Sequence, residues 1–493
     1  MAAAVFAIGA LVGCPQSEVD ICFGAACGGA DGAAGDSQVV PADCDLTKDP
    51  VDSPACVDDA IGLFVSGSGS NANPGTKEAP LQTIGAAVTK ADHQHNRIYI
   101  CDGVYAESLQ LLAPVSLYGG FACNWTHDGN AIQVGPKGAG PTLSVEGVTD
   151  AIVIEELAFV AANGVNPGDS SVAVLVANSN VVFRKVSATA GDGVTGPDPA
   201  TTSNYAGDAG APGLTAPGDP GANAAVCAGA CTNGDDSTSG FGGGGGAGGG
   251  SKGGNGGPAL PENPLAQTPP HNGAGGVCGA SFAGPGADAI AASGGAAGAA
   301  LPGTLSASGW VRVDGQGGVT GKTAQGGGGG GGSTSSSSLG GGGSGGCGGC
   351  GGAGGAPGTS GGSSFALLSY QSTLTLDTCS LHAGNGGSGK AGGAGQPGQA
   401  GGSQGSRALG GNGCDGATGG KGGGGAGGGG GAGGNAIAVG YVGAKPIVTG
   451  GTMGEGSAGV DGGAGLGGAG SGGSGNSGSS GAAGTRGDLV ELP

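Results

Sequence analysis

The sequence has few charged residues, few basic residues and few aromatic residues. Charged residues make up 10% and aromatic residues 3% of its 493 positions, whereas about 25% of the residues in an ordinary domain are charged. The 15 lysines and arginines are outnumbered by 35 aspartates and glutamates, so the formal net charge is −20. Because binding to phosphates requires a basic surface, we expect no nucleic-acid partner.

Glycine is present in large excess. It supplies 130 of the 493 residues, against about 7% in ordinary domains. Glycine loses more conformational freedom on folding than any other residue, so a glycine-rich segment must stay mobile or recover that loss through backbone hydrogen bonds. We therefore expect conventional apolar packing only in a few short islands.

The N-terminus carries an apparent export signal. An apolar run over residues 2–13 ends in Leu-Val-Gly followed by Cys14, with no Lys or Arg before it. This motif resembles the lipobox of bacterial lipoproteins, which implies a signal peptide over 1–13 and a lipid on Cys14. The run is shorter than the about 20 apolar residues needed to span a bilayer. Because Pro15 and Gln16 follow Cys14, the resemblance favours the outer membrane over the inner membrane.

A series of short elements follows a linker at 14–58. Residues 63–66, 97–101, 108–112 and 115–118 are predicted strands, and one face of the segment 81–92 has the apolar spacing of a helix. The order and character of these elements resemble the opening of pectin-lyase-like surface proteins with a right-handed parallel β-helix. The segments that carry the resemblance are FVSGSGSNANPGTKEAPLQTIGAAVTKA, RIYICDGVYAESLQL and VSLYGGF. The resemblance implies an all-β solenoid whose N-terminal end is capped by the short helix.

Four segments of the chain also align with one another without a gap. They are LSVEGVTDAIVIEELAFVAANG, VAVLVANSNVVFRKVSATAGDG, FALLSYQSTLTLDTCSLHAGNG and IAVGYVGAKPIVTGGTMGEGSA. Four apolar columns result: Leu143, Val172, Phe365, Ile437; Val145, Val174, Leu367, Val439; Ile154, Phe183, Leu376, Val448; and Phe159, Ala188, Leu381, Met453. Repeats that cannot each bury an apolar face alone form a stack with a shared core. Each unit suits one coil of a parallel β-helix, with Phe183 and Leu376 in one interior column.

Glycine-rich insertions separate the aligned repeats. They begin after Gly193, after about Gly318 and after Gly386, at the same point of the repeat, so all should leave the same edge of the stack. Glycine often falls at every third residue, which is the period of a polyproline-II-type helix. Disordered loops are the leading interpretation, laterally hydrogen-bonded, polyglycine-II-like helices are the second, and a collagen triple helix is disfavoured by only 26 prolines.

These observations divide the chain into ten predicted parts. They are a signal peptide (1–13), a cysteine-containing linker (14–58), an N-terminal β-helix (59–192) with its capping helix (81–92), a glycine-rich insertion (193–303), a partial coil (304–318), a second insertion (319–362), a coil (363–385), a third insertion (386–434), a coil (435–455) and a Gly-x-x tail (456–493).

The 14 cysteines, in a chain with two methionines and two tryptophans, indicate an oxidising compartment in which disulfides persist. Cys101 and Cys123 lie about one coil apart, on neighbouring rungs whose spacing of about 4.8 Å suits a disulfide. Short spacings favour four further disulfides: Cys22 with Cys27, Cys44 with Cys56, Cys227 with Cys231 and Cys347 with Cys350. The first two pairs lie in the linker, whose four cysteines allow three different pairings. Cys278 and Cys414 have no local partner.

Candidate chemistry is sparse. Residues 410–415 fit the start of a calcium nonapeptide, but one match is expected by chance in so glycine-rich a chain. The Cys347 and Cys350 spacing lacks the second pair or nearby histidine of a metal site, and His93 and His95 are interpreted as solvated. The tripeptide Arg-Gly-Asp at 486–488 is attributed to chance. We therefore predict no catalytic residue, no metal and no cofactor.

The charged residues of the repeats are interpreted as ladders. In the alignment Glu155 and Glu156 stand opposite Arg184 and Lys185, and Arg184 aligns with Asp377. Cross-strand pairs of opposite charge contribute about 0.2 to 1 kcal/mol each. A carbohydrate-cleaving site would instead use paired carboxylates or, by resemblance to pectate lyases, an aspartate cluster with calcium and an arginine, and no such cluster is evident.

The predicted function is that of a non-catalytic, lipid-anchored cell-surface protein, either structural or adhesive. Its partners would be the membrane, through the lipid, and a surface polysaccharide or another cell surface. The composition is similar to that of the glycine-rich PE-PGRS proteins, although the helical domain that opens those proteins is absent here. The alternative is a polysaccharide lyase or hydrolase on the same scaffold, since a fold does not specify an activity.

Overall fold

The structure is a computed structural model that describes residues 40–130, 132–205, 209–218, 220–225, 227, 231, 242–247, 273, 275–278, 283–289, 303–334, 340–470 and 473–493. Its regular secondary structure is nearly all β, as predicted, and the main sheets are parallel. The predicted signal peptide, Cys14, Cys22 and Cys27 lie outside the described residues.

The helices and strands follow in chain order. They are a 3-10 helix (Pro54–Cys56), β1 (Gly62–Val65), α1 (Ile84–Lys90), β2 (Arg97–Cys101), β3 (Val104–Tyr105), β4 (Leu109–Leu111), β5 (Ser116–Phe121), β6 (Ile132–Val134), β7 (Leu143–Glu146), β8 (Ile152–Glu155), β9 (Leu157–Val160), β10 (Ser171–Ala177), β11 (Asn180–Arg184), β12 (Ser187–Thr189), β13 (Gly303–Ser306), β14 (Gly309–Arg312), β15 (Ser364–Tyr370), β16 (Thr373–Asp377), β17 (Ser380–His382), β18 (Ala436–Val442), β19 (Ile447–Thr449), β20 (Thr452–Gly454) and β21 (Arg486–Glu491).

Three parallel sheets are built by successive turns of the chain. Sheet A has the order β1-β2-β5-β8-β11-β16-β19, sheet B the order β3-β6-β9-β12-β17-β20 and sheet C the order β4-β7-β10-β15-β18-β21. A turn such as β10, β11, β12 therefore adds one strand to each sheet before the chain returns to sheet C. Apolar side chains from all three sheets share one continuous core, which no single turn could bury by itself.

The register of the sheets tests the aligned columns. Phe183 lies opposite Ile154 on one side and Leu376 on the other, and Leu376 lies opposite Val448. Phe183 and Leu376 are both buried, which confirms that they share an interior column despite the long insertion between them.

Two columns of the alignment are wrong at their first member. The alignment placed Leu143 opposite Val172 and Val145 opposite Val174, but the structure places Leu143 opposite Val174 and Val145 opposite Val176. The turn between β7 and β8, residues 147–151, is longer than the turn between β10 and β11, residues 178–179. An ungapped comparison cannot absorb that difference in length, so the strands of sheet C are displaced while those of sheet A stay in register.

The two ends of the stack differ. At the first end, α1 buries Ile84 and Ala87 in the core; this is the predicted capping helix, shorter than 81–92. The helix is stabilised where it begins, because the Glu107 carboxylate accepts hydrogen bonds of 2.9 Å from the N–H groups of Ile84 and Gly85. At the other end Val448, which continues the buried column of Phe183 and Leu376, is 41% exposed.

The predicted partial coil at 304–318 is wrong. Strands β13 and β14 pair with each other in an antiparallel hairpin and join none of the three parallel sheets. A two-residue connection suits a hairpin and is too short for a parallel crossover. The hairpin packs Leu305 and Trp310 on the outer side of sheet C, where the Trp310 and Phe365 ring centroids are 5.1 Å apart.

Residues 40–58 of the predicted linker lie against sheet A. The disulfide between Cys44 and Cys56, predicted from the sequence, closes this segment into a loop. Arg97 donates a hydrogen bond of 2.7 Å to the carbonyl oxygen of Leu46, and the Tyr99 hydroxyl donates to the carbonyl oxygen of Cys56. This loop, residues 44–56, covers part of the sheet, and we call it the strap.

Candidate functional site

The glycine-rich segments form an ordered structure, which we call the glycine slab: residues 193–205, 209–216, 315–334, 340–362, 386–434, 456–470 and 473–485. It contains no regular helix or strand in the described residues. Its amides bond to neighbouring segments at every third residue; the N–H groups of Gly387, Lys390 and Gly393 each donate, at 2.8 Å, to the carbonyl oxygens of Gly362, Thr359 and Ala356. This period corresponds to laterally bonded extended helices, so the leading interpretation, disordered loops, is wrong for these residues.

The central segment, 340–362, shows why glycine is required. It is bonded to the segments 315–334, 386–408 and 414–434, and nearly all of its described residues are buried. A methyl group at Gly351 would overlap the carbonyl oxygen of Gly321, and one at Gly352 would overlap that of Gln396. Between residues 344 and 356 side chains occupy one position in three; they are Ser344, Cys347, Cys350, Ala353 and Ala356.

A ladder of side-chain hydrogen bonds fixes the point where each glycine segment leaves the sheets. Asn163 Oδ1 accepts from the N–H of Asp192 at 2.8 Å, Asp192 Oδ1 from the N–H of Asn385 at 2.7 Å, and Asn385 Oδ1 from the N–H of Ser457 at 2.9 Å. These residues follow β9, β12, β17 and β20, so the segments that begin after Gly193 and Gly386 leave one corner of the stack, as predicted. The segment after Gly318 does not leave this corner, because it continues from the β13–β14 hairpin.

A second ladder fixes the point of return. Ser170 Oγ accepts from the N–H of Ser363 at 2.9 Å, Ser363 Oγ from the N–H of Asn435 at 3.0 Å, and Asn435 Oδ1 from the N–H of Thr485 at 2.9 Å. They directly precede β10, β15, β18 and β21. The slab therefore continues the layers of the three sheets, rung for rung. The aligned repeats include the residues of the first ladder, Asn163, Asp192, Asn385 and Ser457, whereas the residues of the second ladder lie outside them.

Three disulfides join the slab to Cys227, Cys231 and Cys278, and they correct two predicted pairs. Cys227 is bonded to Cys347 and Cys231 to Cys350, rather than each pair being closed locally. Cysteines three residues apart on an extended helix are separated by about 9 Å, which exceeds the span of a disulfide, but they face the same neighbouring segment. A third bond joins the two cysteines without local partners, Cys278 and Cys414. In sheet A, Cys101 is bonded to Cys123 as predicted.

One face of the slab is exposed and carries small side chains. It is formed by the outgoing segments 193–205, 386–408 and 456–470, which are joined by bonds such as Gly196 N–H to Ser388 O at 2.9 Å and Gly389 N–H to Val460 O at 2.8 Å. Every third residue points outward, so side chains repeat about every 9 Å along a segment. At the far turn of the third insertion, Leu409 is 99% exposed.

A second candidate site is a covered acidic cluster. Glu155 and Glu156 end β8 at the corner towards sheet B, and the side chain of each is only 6% exposed. Lys185 Nζ lies 2.7 Å from Glu156 Oε1 and 3.9 Å from Glu155 Oε1, and His127 Nε2 lies 2.6 Å from Glu156 Oε2. Pro50 and Val51 of the strap help to enclose a cavity of about 10 Å³ beside them, room for roughly one water molecule.

The predicted charge ladder is present in the register of the strands, but only some of its side chains form the predicted ion pairs. Arg184 lies opposite both Glu155 and Asp377, yet its guanidinium pairs with Asp49 of the strap. Burial, together with the nearby carboxylates of Asp49 and Glu156, raises the pKa of Glu155 to about 7 against the opposing effect of Lys185. The sequence contained no signal for this arrangement, because the alignment could not place the strap.

The remaining sequence candidates are not brought together with one another. His95 Nδ1 pairs with Asp92 at 2.9 Å on the exposed segment after α1. Asp415, of the calcium-like run, lies 3.9 Å from Arg407. The Arg-Gly-Asp tripeptide opens β21. Among the described residues, no group of three or more His, Cys, Asp or Glu side chains could hold a metal ion.

Comparison with known proteins finds no matching family model, no similar curated protein and no similar solved structure. None of the helices in the described ranges is both long enough and apolar enough to cross a membrane.

Proposed function

We propose that the chain is a non-catalytic, lipid-anchored protein of the bacterial cell surface, and that the glycine slab is its structural or adhesive part. The lipid on Cys14 would hold it to the envelope, most favourably to the outer membrane. Its partner at the slab would be a surface polysaccharide or another cell surface. No nucleic acid, metal or cofactor enters this proposal.

We further propose that the three sheets are the faces of a right-handed parallel β-helix. The proposal is supported by the repeated order of strands in sheets C, A and B. The right-handed sense is the one that parallel crossover connections adopt in about 98% of cases. A β-helix of this kind would serve as the rigid support of the slab.

The observation that carries the proposed function is the anchorage of the slab by its two ladders. Ladder bonds such as Asp192 to Asn385 and Ser363 to Asn435 recur on successive rungs, so the exposed face is held in a fixed position relative to the sheets. A face that is ordered before contact loses little conformational freedom on binding. Leu409 at the far turn adds a fully exposed apolar side chain.

Binding measurements with matched variants test the adhesive function. We expect the purified protein to bind bacterial cells or polysaccharide-coated beads, and Ala391→Arg on the outer face or Leu409→Asp at the far turn to weaken that binding at least tenfold. Ala113→Arg and Leu112→Asp alter exposed residues of the same types outside the slab and should bind as the original protein does. Equal loss in all four variants would contradict a role of the slab.

The alternative, a polysaccharide lyase or hydrolase, is favoured by one feature. Glu155 and Glu156 are neighbouring carboxyl groups, and the raised pKa of Glu155 is a property that general acids share. Incubation with a panel of acidic and neutral polysaccharides separates the two functions. Release of new chain ends that is lost in Glu155→Gln would overturn the non-catalytic proposal.

A further inference from the structure

The far end of the stack presents three sheet edges. β19, β20 and β21 are the last strands of sheets A, B and C, and each has a neighbouring strand on one side only within the described residues. We call these three strands the end face. An edge strand leaves a row of backbone donors and acceptors available, which is a template for pairing with another chain.

The end face is also apolar. Ile447 is 60% and Val448 is 41% exposed, and Met453 and Leu489 are only partly buried against the core. On the neighbouring rung the partners of Val448, Met453 and Leu489 are buried; they are Leu376, Leu381 and Val439. Removing this apolar patch from water would favour association.

The charges of β21 indicate what pairs with it. The strand reads Arg-Gly-Asp-Leu-Val-Glu, with exposed Arg486 at its start and exposed Glu491 at its end. If two such strands run antiparallel, each Arg486 comes next to Glu491 of the second copy, so that both ends of the joined strand carry opposite charges. A parallel arrangement would place like charges together, which is destabilising.

We propose that two copies of the chain join end to end through this face, with β21 of one copy antiparallel to β21 of the other. The contact is isologous and closes at two copies. The opposite end is covered by α1, so the stack does not extend into a filament. Because the slab joins β21 at its first residue, the two slabs lie at opposite ends of the paired strands.

Sedimentation equilibrium on the full chain with Cys14→Ser, which removes any lipid, tests the proposal. We expect a dimer at micromolar concentration. Arg486→Glu and Glu491→Arg should each raise the dimer dissociation constant at least tenfold, and the double exchange should restore it because the opposite charges are again adjacent. Arg486 also pairs with Glu455 at 2.9 Å, so Glu491→Arg is the cleaner single variant.

Two further variants complete the design. Val448→Lys places a charge in the apolar part of the end face and should yield a folded monomer, with its fold checked by circular dichroism. Lys137→Glu changes an exposed charge far along the chain, between β6 and β7, and should remain dimeric. A monomer at 100-fold higher concentration, a larger polymer, or a dimer indifferent to Val448→Lys and Glu491→Arg would overturn the proposal.

Discussion

Replacing single glycines by alanine tests whether the slab is a packed structure. At Gly351 the added methyl group would meet the carbonyl oxygen of Gly321 on the neighbouring segment, where neither backbone can turn away. At Gly463, on the exposed face, the nearest atom is Ala391 Cβ at 3.9 Å. Both changes reduce the freedom of the unfolded chain equally, so their difference reports the packing of the folded slab.

The expected magnitude follows from the bonds near Gly351. The N–H of Gly321 donates a hydrogen bond of 2.8 Å to the carbonyl oxygen of Gly352, and the N–H of Ala324 donates one of 2.9 Å to that of Gly349. These two bonds hold the segments together there. Each such bond contributes about 0.5–1.5 kcal/mol, and overpacking costs about 1–3 kcal/mol. We therefore expect Gly351→Ala to lower the free energy of unfolding by about 2–4 kcal/mol, whereas Gly463→Ala should be neutral or stabilise by about 0.4–1 kcal/mol.

The assay combines denaturant unfolding with hydrogen exchange. In the original protein the amides of segments 315–333 and 341–358 should exchange far more slowly than an unstructured peptide, and Gly351→Ala should accelerate exchange in both segments while leaving sheet A protected. Equal stability of the two alanine variants, or unprotected slab amides in the original protein, would refute the packed slab.

Three further predictions concern the strap, the core and the anchor. The pKa of Glu155 is raised from 4.5 to about 7 in the folded protein, so its protonated form stabilises the fold; this contribution is complete below pH 4.5 and is lost as the pH rises to about 7. At pH 8 the free energy of unfolding of Glu155→Gln, measured by denaturant unfolding, should therefore exceed that of the original protein by about 3 kcal/mol at most. This gain should vanish at pH 4. A gain that is the same at both pH values would contradict the burial of an ionisable group there. Phe183→Asp should prevent folding of all three sheets, since an unpaired buried charge is costly and each rung depends on its neighbours, whereas Val182→Asp, on the partly exposed side of the same strand, should leave a folded protein by circular dichroism. Mass spectrometry of the mature protein should find a lipid on Cys14 and nothing before it, and Cys14→Ser should release the protein from membranes; retention of Met1 would end the lipoprotein hypothesis.

The aligned repeats predicted the core because the interior of the stack is periodic. Phe183 and Leu376 could be matched across a long insertion, since a buried position tolerates only apolar residues of similar size. Leu143 was misplaced because turn length is not visible in an apolar pattern. The disulfide partners of Cys227 and Cys231 were missed for a related reason, as pairing there follows the lateral packing of segments more than 100 residues apart.

The acidic cluster could not be predicted because its components come from unrelated parts of the chain. Asp49 belongs to the strap, His127 to the turn after β5 and Lys185 to the corner after β11, and only the last is aligned with Glu156. The order of the slab was also underestimated. Glycine content alone does not distinguish a mobile chain from a bonded one, whereas a strict three-residue period does, and the serine and asparagine ladders supply the missing signal.

The two ladders constrain how this protein can change in evolution. Both ends of each glycine segment are fixed to a rung, so an insertion or deletion can be accommodated only near the far turn. There it must come in whole triplets, with matching numbers on the outgoing and returning limbs, because every third amide is bonded to a neighbouring segment. Each matched triplet would extend the projection by about 9 Å and leave the apolar core untouched. Related chains should therefore differ in the length of their projections by multiples of six residues, while the rungs that bear them stay the same.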